Sequence, residues 1–281
     1  MSAPLPPLAT RSTRYLRLAA LGDSTTYGIG DPVATSVSPT GWRGWARLLS
    51  DALATSYDVS FCNTAVSGAT ARCVASGQLD AAVAHRPDVA SLVVGVNDTM
   101  RSTWDTVRLR EDLMGCAEAL HDVGALLLTP RFHDHARVFG LPARLARPLT
   151  RRIEAVNAVY DEVHATFGGL RIDLAERPEV LDRTFWSVDR LHPSELGHRL
   201  FARGFADQLL GEGLDFEPPS VVPEGGEVPT WRSELRWVVA EGVPWIGRRA
   251  RDLGPMAARM AWTEARGVGR APERVGVGAA Q

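Results

Sequence analysis

The chain has 281 residues, 45% of them hydrophobic, enough for one sizeable core plus an appendage. A formal net charge of −2, from 31 basic and 33 acidic side chains, leaves no electrostatic footprint for nucleic acid. Three cysteines, Cys62, Cys73 and Cys116, are odd in number and lack the spacing of a disulfide framework. Every basic residue counted is arginine, which with the alanine and glycine content points to a GC-rich bacterial genome.

Residues 1–14 read as an N-terminal arm without the basic-then-apolar pattern of a secretion signal, so the expected location is cytoplasmic. A first strand is predicted over 15–22, and it stops abruptly at Gly22-Asp23-Ser24. A helix over 41–54 leads to a second strand, 57–63, followed by Val66-Ser67-Gly68. A helix over 76–86 precedes the third strand, 89–95, which runs into Gly95-Val96-Asn97-Asp98. Then come a helix over 105–123, a strand over 125–130, a helix over 150–167 and a strand over 170–174. The last helix, 194–210, follows Asp189-Arg190-Leu191-His192-Pro193 directly, with Pro193 suited to a helix entry and Ser194-Glu195 to a first turn. Strands and helices alternate, and short, nearly continuous apolar strands such as Ala90-Ser91-Leu92-Val93-Val94 are what a parallel sheet covered on both faces requires. The expected architecture is a three-layer α/β domain over 15–210.

A serine hydroxyl is a weak nucleophile at neutral pH. It needs a base within hydrogen-bond reach and a third group to orient that base. Asp189 and His192, three residues apart in the turn before a helix, suit those two tasks, and Ser24 stands where a parallel strand delivers a hydroxyl to the sheet end. Gly68 offers a backbone N–H that a substrate oxygen can approach closely, and Asn97 a side-chain amide from a neighbouring strand end.

Together these blocks resemble those of the SGNH (GDSL) hydrolase family, a group of serine esterases and lipases. The resemblance covers about residues 15–210 and implies a flavodoxin-like α/β/α fold with a five-stranded parallel sheet. It implies Ser24 as nucleophile and oxyanion donor, Gly68 and Asn97 as the other oxyanion donors, and Asp189 and His192 as the acid–base pair. The second block departs from the family pattern, carrying Ala65 where an additional glycine often stands.

Other residues carry less chemistry. Asp23 and Asp98 read as braces of their turns, and His198 as a helix-surface residue. His133-Asp134-His135 alternates on an irregular segment with no third ligand nearby and reads as solvated loop, so no metal is expected. No phosphate-binding loop, dinucleotide fingerprint or Gly-x-Ser-x-Gly elbow is present, so no cofactor is expected. Loops 25–44, 98–106, 131–148 and 176–188 are expected around the pocket, with Trp42, Trp104, Phe132, Phe139 and Trp186 as candidate walls.

Residues 211–229 form a proline- and glycine-bearing linker to a helical C-terminal extension, 230–281, whose end reads as disordered. Its tryptophans and arginines suit packing on the catalytic domain or a second subunit better than a membrane surface, because Pro244, Gly247, Gly254 and Pro255 break a long lipid-facing helix. The function expected is a cofactor-independent serine hydrolase that cleaves a small-molecule ester or thioester through an acyl-enzyme. The alternatives are an acyltransferase using the same residues and a catalytically silent binding module. Sequence leaves the oligomeric state open.

Overall fold

The computed structural model describes residues 14–33 and 41–224. The N-terminal arm up to residue 13 and the helical extension over 230–281 lie outside the described residues.

Five parallel strands form the main sheet: β1 (Tyr15–Gly22), β4 (Asp58–Asn63), β5 (Val89–Val93), β6 (Leu126–Arg131) and β7 (Leu170–Asp173). Their order is β4-β1-β5-β6-β7. Counted along the chain within this sheet, that is 2-1-3-4-5, the flavodoxin-like winding expected of the family. Two-residue strands β2 (Pro32–Val33) and β3 (Gly41–Trp42) make a small antiparallel ribbon beside it. Every residue of central β5 is buried, as a strand covered on both faces must be, whereas edge strand β7 alternates buried and half-buried positions.

Helices α2 (Gly44–Leu53) and α9 (Glu195–Gly211) pack on each other, with the Trp45 ring 5.0 Å from that of Phe201 and 5.2 Å from that of Phe205. In α9, Phe201, Phe205 and Leu209 recur every fourth residue and are all buried, which gives the helix its core-facing stripe. Helices α3 (Ala71–Gly77), α4 (Leu79–Ala84), α6 (Thr106–Asp122) and α8 (Ala143–Phe167) form the other helical layer.

The predicted helix over 76–86 is two helices that meet at Gln78, and α8 begins seven residues before the expected position 150. Pro148 sits in its second turn. It lacks the N–H that a helix interior uses, so one intrahelical bond is missing there. Beyond α9, the stretch expected as a linker is described as far as Glu224 and lies on the domain. Leu214 and Phe216 are buried, and Glu224 pairs with Arg43 and Arg199. Among the described residues no helix is long and apolar enough to cross a membrane.

Candidate active site

The winding reverses between β1 and β5, where adjacent crossovers leave in opposite directions and open a crevice at the carboxyl ends of the strands. Ser24 follows β1 and Asn97 follows β5, so both fall at that crevice. Ser24 opens the one-turn helix α1 (Ser24–Tyr27), capped by Asp23, whose Oδ1 accepts from the Thr25 N–H at 3.0 Å. Burial pushes the Asp23 carboxyl up to about 6, against the pull of that hydrogen bond and of nearby His192. Asp98, in the short helix α5 (Val96–Thr99), accepts from the Ala71 N–H at 3.1 Å and so ties α5 to the start of α3. Burial pushes its carboxyl up to about 6 as well.

The loop before α9 brings the other two groups. His192 Nε2 lies 2.9 Å from Ser24 Oγ, although the residues are 168 apart in sequence, and His192 Nδ1 lies 2.5 Å from Asp189 Oδ2. The second carboxylate oxygen of Asp189 accepts from the Leu191 and His192 N–H groups, both at 2.9 Å, so one aspartate shapes the turn and holds the ring. Burial alone pushes the Asp189 carboxyl up. The hydrogen bonds and charge of His192, with the two backbone donors, outweigh it and hold the group below the ordinary carboxylate range. A neutral imidazole held this way donates Nδ1–H to Asp189 and presents Nε2 to accept the serine proton.

Gly68 has a φ of +79°, in the left-handed region that favours glycine, and a Cβ placed there meets nothing within 4 Å. Backbone conformation, with space in front of it, is what position 68 requires. The Asn97 amide donates to Ala69 O at 3.1 Å and approaches Asp23 Oδ2 at 3.4 Å, which fixes it beside the Gly68 loop. At Gly30, φ is +105° and a Cβ would fall 1.9 Å from Pro193 O, so the loop after α1 can press against the histidine turn only without a side chain there.

Four polar side chains that sequence reasoning passed over fix these strand ends and turns. Gln78 accepts from the Gly22 N–H and donates to its C=O, each at 2.9 Å, just ahead of Ser24. The Tyr160 hydroxyl bonds Val94 N–H and C=O before Asn97, and Asn157 brackets Phe132 with two 2.8 Å bonds. The Arg183 guanidinium donates to the carbonyls of Trp186 and Ser187, bracing the turn that carries Asp189. A signal for Gln78 was present: Val74, Gln78 and Ala82 recur every fourth residue on a buried stripe, where a lone polar side chain needs a partner.

Three histidines correct the sequence reading. His198 is fully buried, not on a helix surface. Its Nδ1 accepts from the Trp45 N–H at 3.2 Å and its Nε2–H donates to Ile29 O at 2.9 Å. His133 and His135, expected in solvated loop, are 4% and 5% exposed and stack with ring centroids 4.0 Å apart. Burial pushes His198 and His135 down to about 4 and His133 well below its ordinary value. Such groups take up protons in the unfolded chain first, so their contribution to stability is lost as pH falls from about 6.5 towards 4. Asp23 and Asp98 act oppositely, because the folded state binds their protons first as pH falls through about 6. Burial pushes the Asp112 carboxyl up as well, so the histidine contribution is the part to be isolated, and it is a decline in melting temperature below about pH 6.5. The decline should be shallower in His198→Gln, which cannot be protonated; an equal slope in both proteins contradicts the assignment.

Beside Ser24 and Asn97 lies a cavity of about 40 Å³, walled by Phe132, His133 and Trp186 among others. Of the five aromatic residues expected around the pocket, Phe132 and Trp186 line it. Trp42 is 39% exposed, and Trp104 is covered by the Arg152 guanidinium at 5.4 Å. Among the described residues no group of three histidine, cysteine, aspartate or glutamate side chains could hold a metal ion.

The model of the GDSL-like Lipase/Acylhydrolase family matches residues 20–200. The chain is 24% identical over 186 residues to an acetylxylan esterase from Geobacillus stearothermophilus, a match that covers 60% of this chain and 81% of that protein. Its fold is similar to that of a lipase/acylhydrolase from Enterococcus faecalis, at 20% identity and a TM-score of 0.55, covering 73% of this chain and 99% of the other. It is also similar to the psychrotrophic esterase EstA from Pseudoalteromonas sp., at 17% identity and a TM-score of 0.54, covering 69% and 97%.

Proposed function

The chain belongs to the GDSL-like lipase/acylhydrolase family and is a carboxylic ester hydrolase; from that premise we propose that it cleaves a short-acyl ester through an acyl-enzyme formed on Ser24, without a cofactor. The observation that carries this reading is the unbroken chain of contacts from Asp189 through His192 to Ser24 Oγ, at 2.5 and 2.9 Å, at the mouth of a cavity.

In the first half-reaction His192 Nε2 takes the Ser24 hydroxyl proton as Oγ bonds to the ester carbonyl carbon. The negative charge that develops on the carbonyl oxygen is met by the N–H groups of Ser24 and Gly68 and the Asn97 amide. The intermediate collapses by breaking the bond to the alcohol oxygen, which leaves with the proton held on His192. In the second half-reaction water gives a proton to His192 and its oxygen to the acyl carbon. The bond to Ser24 Oγ breaks, the serine regains its proton and the carboxylic acid departs.

A short acyl group is supported by the small cavity, about 40 Å³, and by the name of the acetylxylan esterase relative. A series of p-nitrophenyl esters from acetate to octanoate tests this. Turnover should peak at two to four acyl carbons, and a peak at the long end would contradict it. Asn97→Ala is expected to lower kcat by about a hundredfold or more with little change in KM, since its amide acts on the transition-state oxygen. A loss confined to KM would assign Asn97 to ground-state binding.

A further inference from the structure

One polar group in the cavity has no task in this mechanism. His133 lines the same cavity as Ser24 and Asn97, and both of its ring nitrogens are buried with no hydrogen-bond partner among the described residues. No other cavity-lining side chain carries a buried polar atom in that condition. An unpaired buried donor or acceptor is costly, and native interiors rarely keep one. The ring is nonetheless held firmly. Asn157 clamps the backbone at Phe132, His135 stacks on the imidazole and donates Nδ1–H to His133 O at 3.1 Å, and Trp186 lies 5.0 Å away. Burial pushes the pKa of His133 well below its ordinary value, so the ring is neutral near pH 7 and keeps one donor and one acceptor. A rigid polar point in an otherwise largely apolar wall is how a pocket selects one polar group on its ligand.

We infer that His133 selects the acyl group by hydrogen-bonding a hydroxyl on its second or third carbon, so that the substrate is an ester of a short hydroxy acid. The inference rests on the serine-esterase reading above. The core side chains Val93, Leu174 and Phe201 line the cavity together with Ser24. The alcohol leaves after the first half-reaction while the acyl group stays on Ser24, and a small cavity lined by Ser24 suits the part that stays. A cavity of only about 40 Å³ beside Ser24 suits a short acyl chain, whose hydroxyl then lies within two or three bonds of the carbonyl carbon.

The test compares phenyl glycolate with phenyl propionate, and phenyl 3-hydroxypropanoate with phenyl butanoate, each pair exchanging a hydroxyl for a methyl group. The quantity read is the kcat/KM ratio within a pair, in the natural protein and in His133→Phe, which keeps the stacked ring but loses both nitrogens. Comparing the two proteins cancels the intrinsic reactivity of the esters. The ratio is expected to fall by about tenfold to a hundredfold in at least one pair. His133→Leu is read the same way should the Phe variant fail to fold. An unchanged ratio in both pairs overturns the inference and leaves the esterase reading standing. A change seen instead between 2-hydroxyethyl acetate and propyl acetate also overturns it, since the cavity would then take the alcohol. Absence of turnover of every ester by the folded natural protein would remove the esterase reading and this inference together.

Discussion

Replacement of Ser24 by alanine is expected to lower kcat by roughly a hundred-thousandfold to a millionfold, with the melting temperature nearly unchanged. The size follows from covalent catalysis: without Oγ no acyl-enzyme forms, and water must attack the ester directly at a site arranged for another nucleophile. The small structural cost follows from how the turn is held. Gln78 grips the Gly22 backbone, Asp23 caps α1 through the Thr25 N–H, and the Ser24 N–H belongs to the main chain. Alanine keeps all three, so any residual rate measures the oxyanion donors and substrate positioning alone. A fluorophosphonate probe should label the natural protein at Ser24 and leave Ser24→Ala unlabelled. Full activity in the variant, or labelling at another residue, contradicts the assignment.

The fold was legible because the sheet announces itself in its central strands. The run through Ala90 and Val94 has no polar interruption but Ser91, and only a strand covered on both faces tolerates that in so short a segment. Periodicity also located the helices, yet it misjudged where they break. The joint between α3 and α4 lies at Gln78, whose backbone departs from a continuous helix while its side chain bonds Gly22, a partner 56 residues away that no local pattern reveals. The site was legible in its chemistry-bearing residues, since a Gly-Asp-Ser after a strand and an Asp-x-x-His before a helix have few other joint uses. Its supports were not. Tyr160, Asn157 and Arg183 each satisfy main-chain groups at a strand end or turn, and a polar residue on a helix reads as exposed until the tertiary partner is known. His198 and His133 failed for the same reason with opposite outcomes. The first is buried with both nitrogens paired, the second with neither paired among the described residues.

His192→Ala and Asp189→Asn separate the two partners of Ser24, because the geometry gives them different tasks. Removal of the imidazole leaves no base within reach of Oγ, and kcat should fall about as far as in Ser24→Ala, since the groups act as a unit. Asp189→Asn is subtler. The asparagine Oδ1 can still accept the Leu191 and His192 N–H groups that shape the turn, now at 2.9 Å each, so the loop should survive. The other carboxylate oxygen becomes an NH₂ facing His192 Nδ1. Two donors cannot pair, so the ring must take the tautomer that carries its proton on Nε2, where it can no longer accept from Ser24. The expected loss in kcat is about ten-thousandfold, with KM and melting temperature little changed. The double variant His192→Ala with Asp189→Asn should be no slower than His192→Ala alone, because an orienting residue has nothing left to orient. Additive losses would mean that Asp189 acts on the substrate or the oxyanion independently of His192. A kinetically silent Asp189→Asn would show that another group holds the ring.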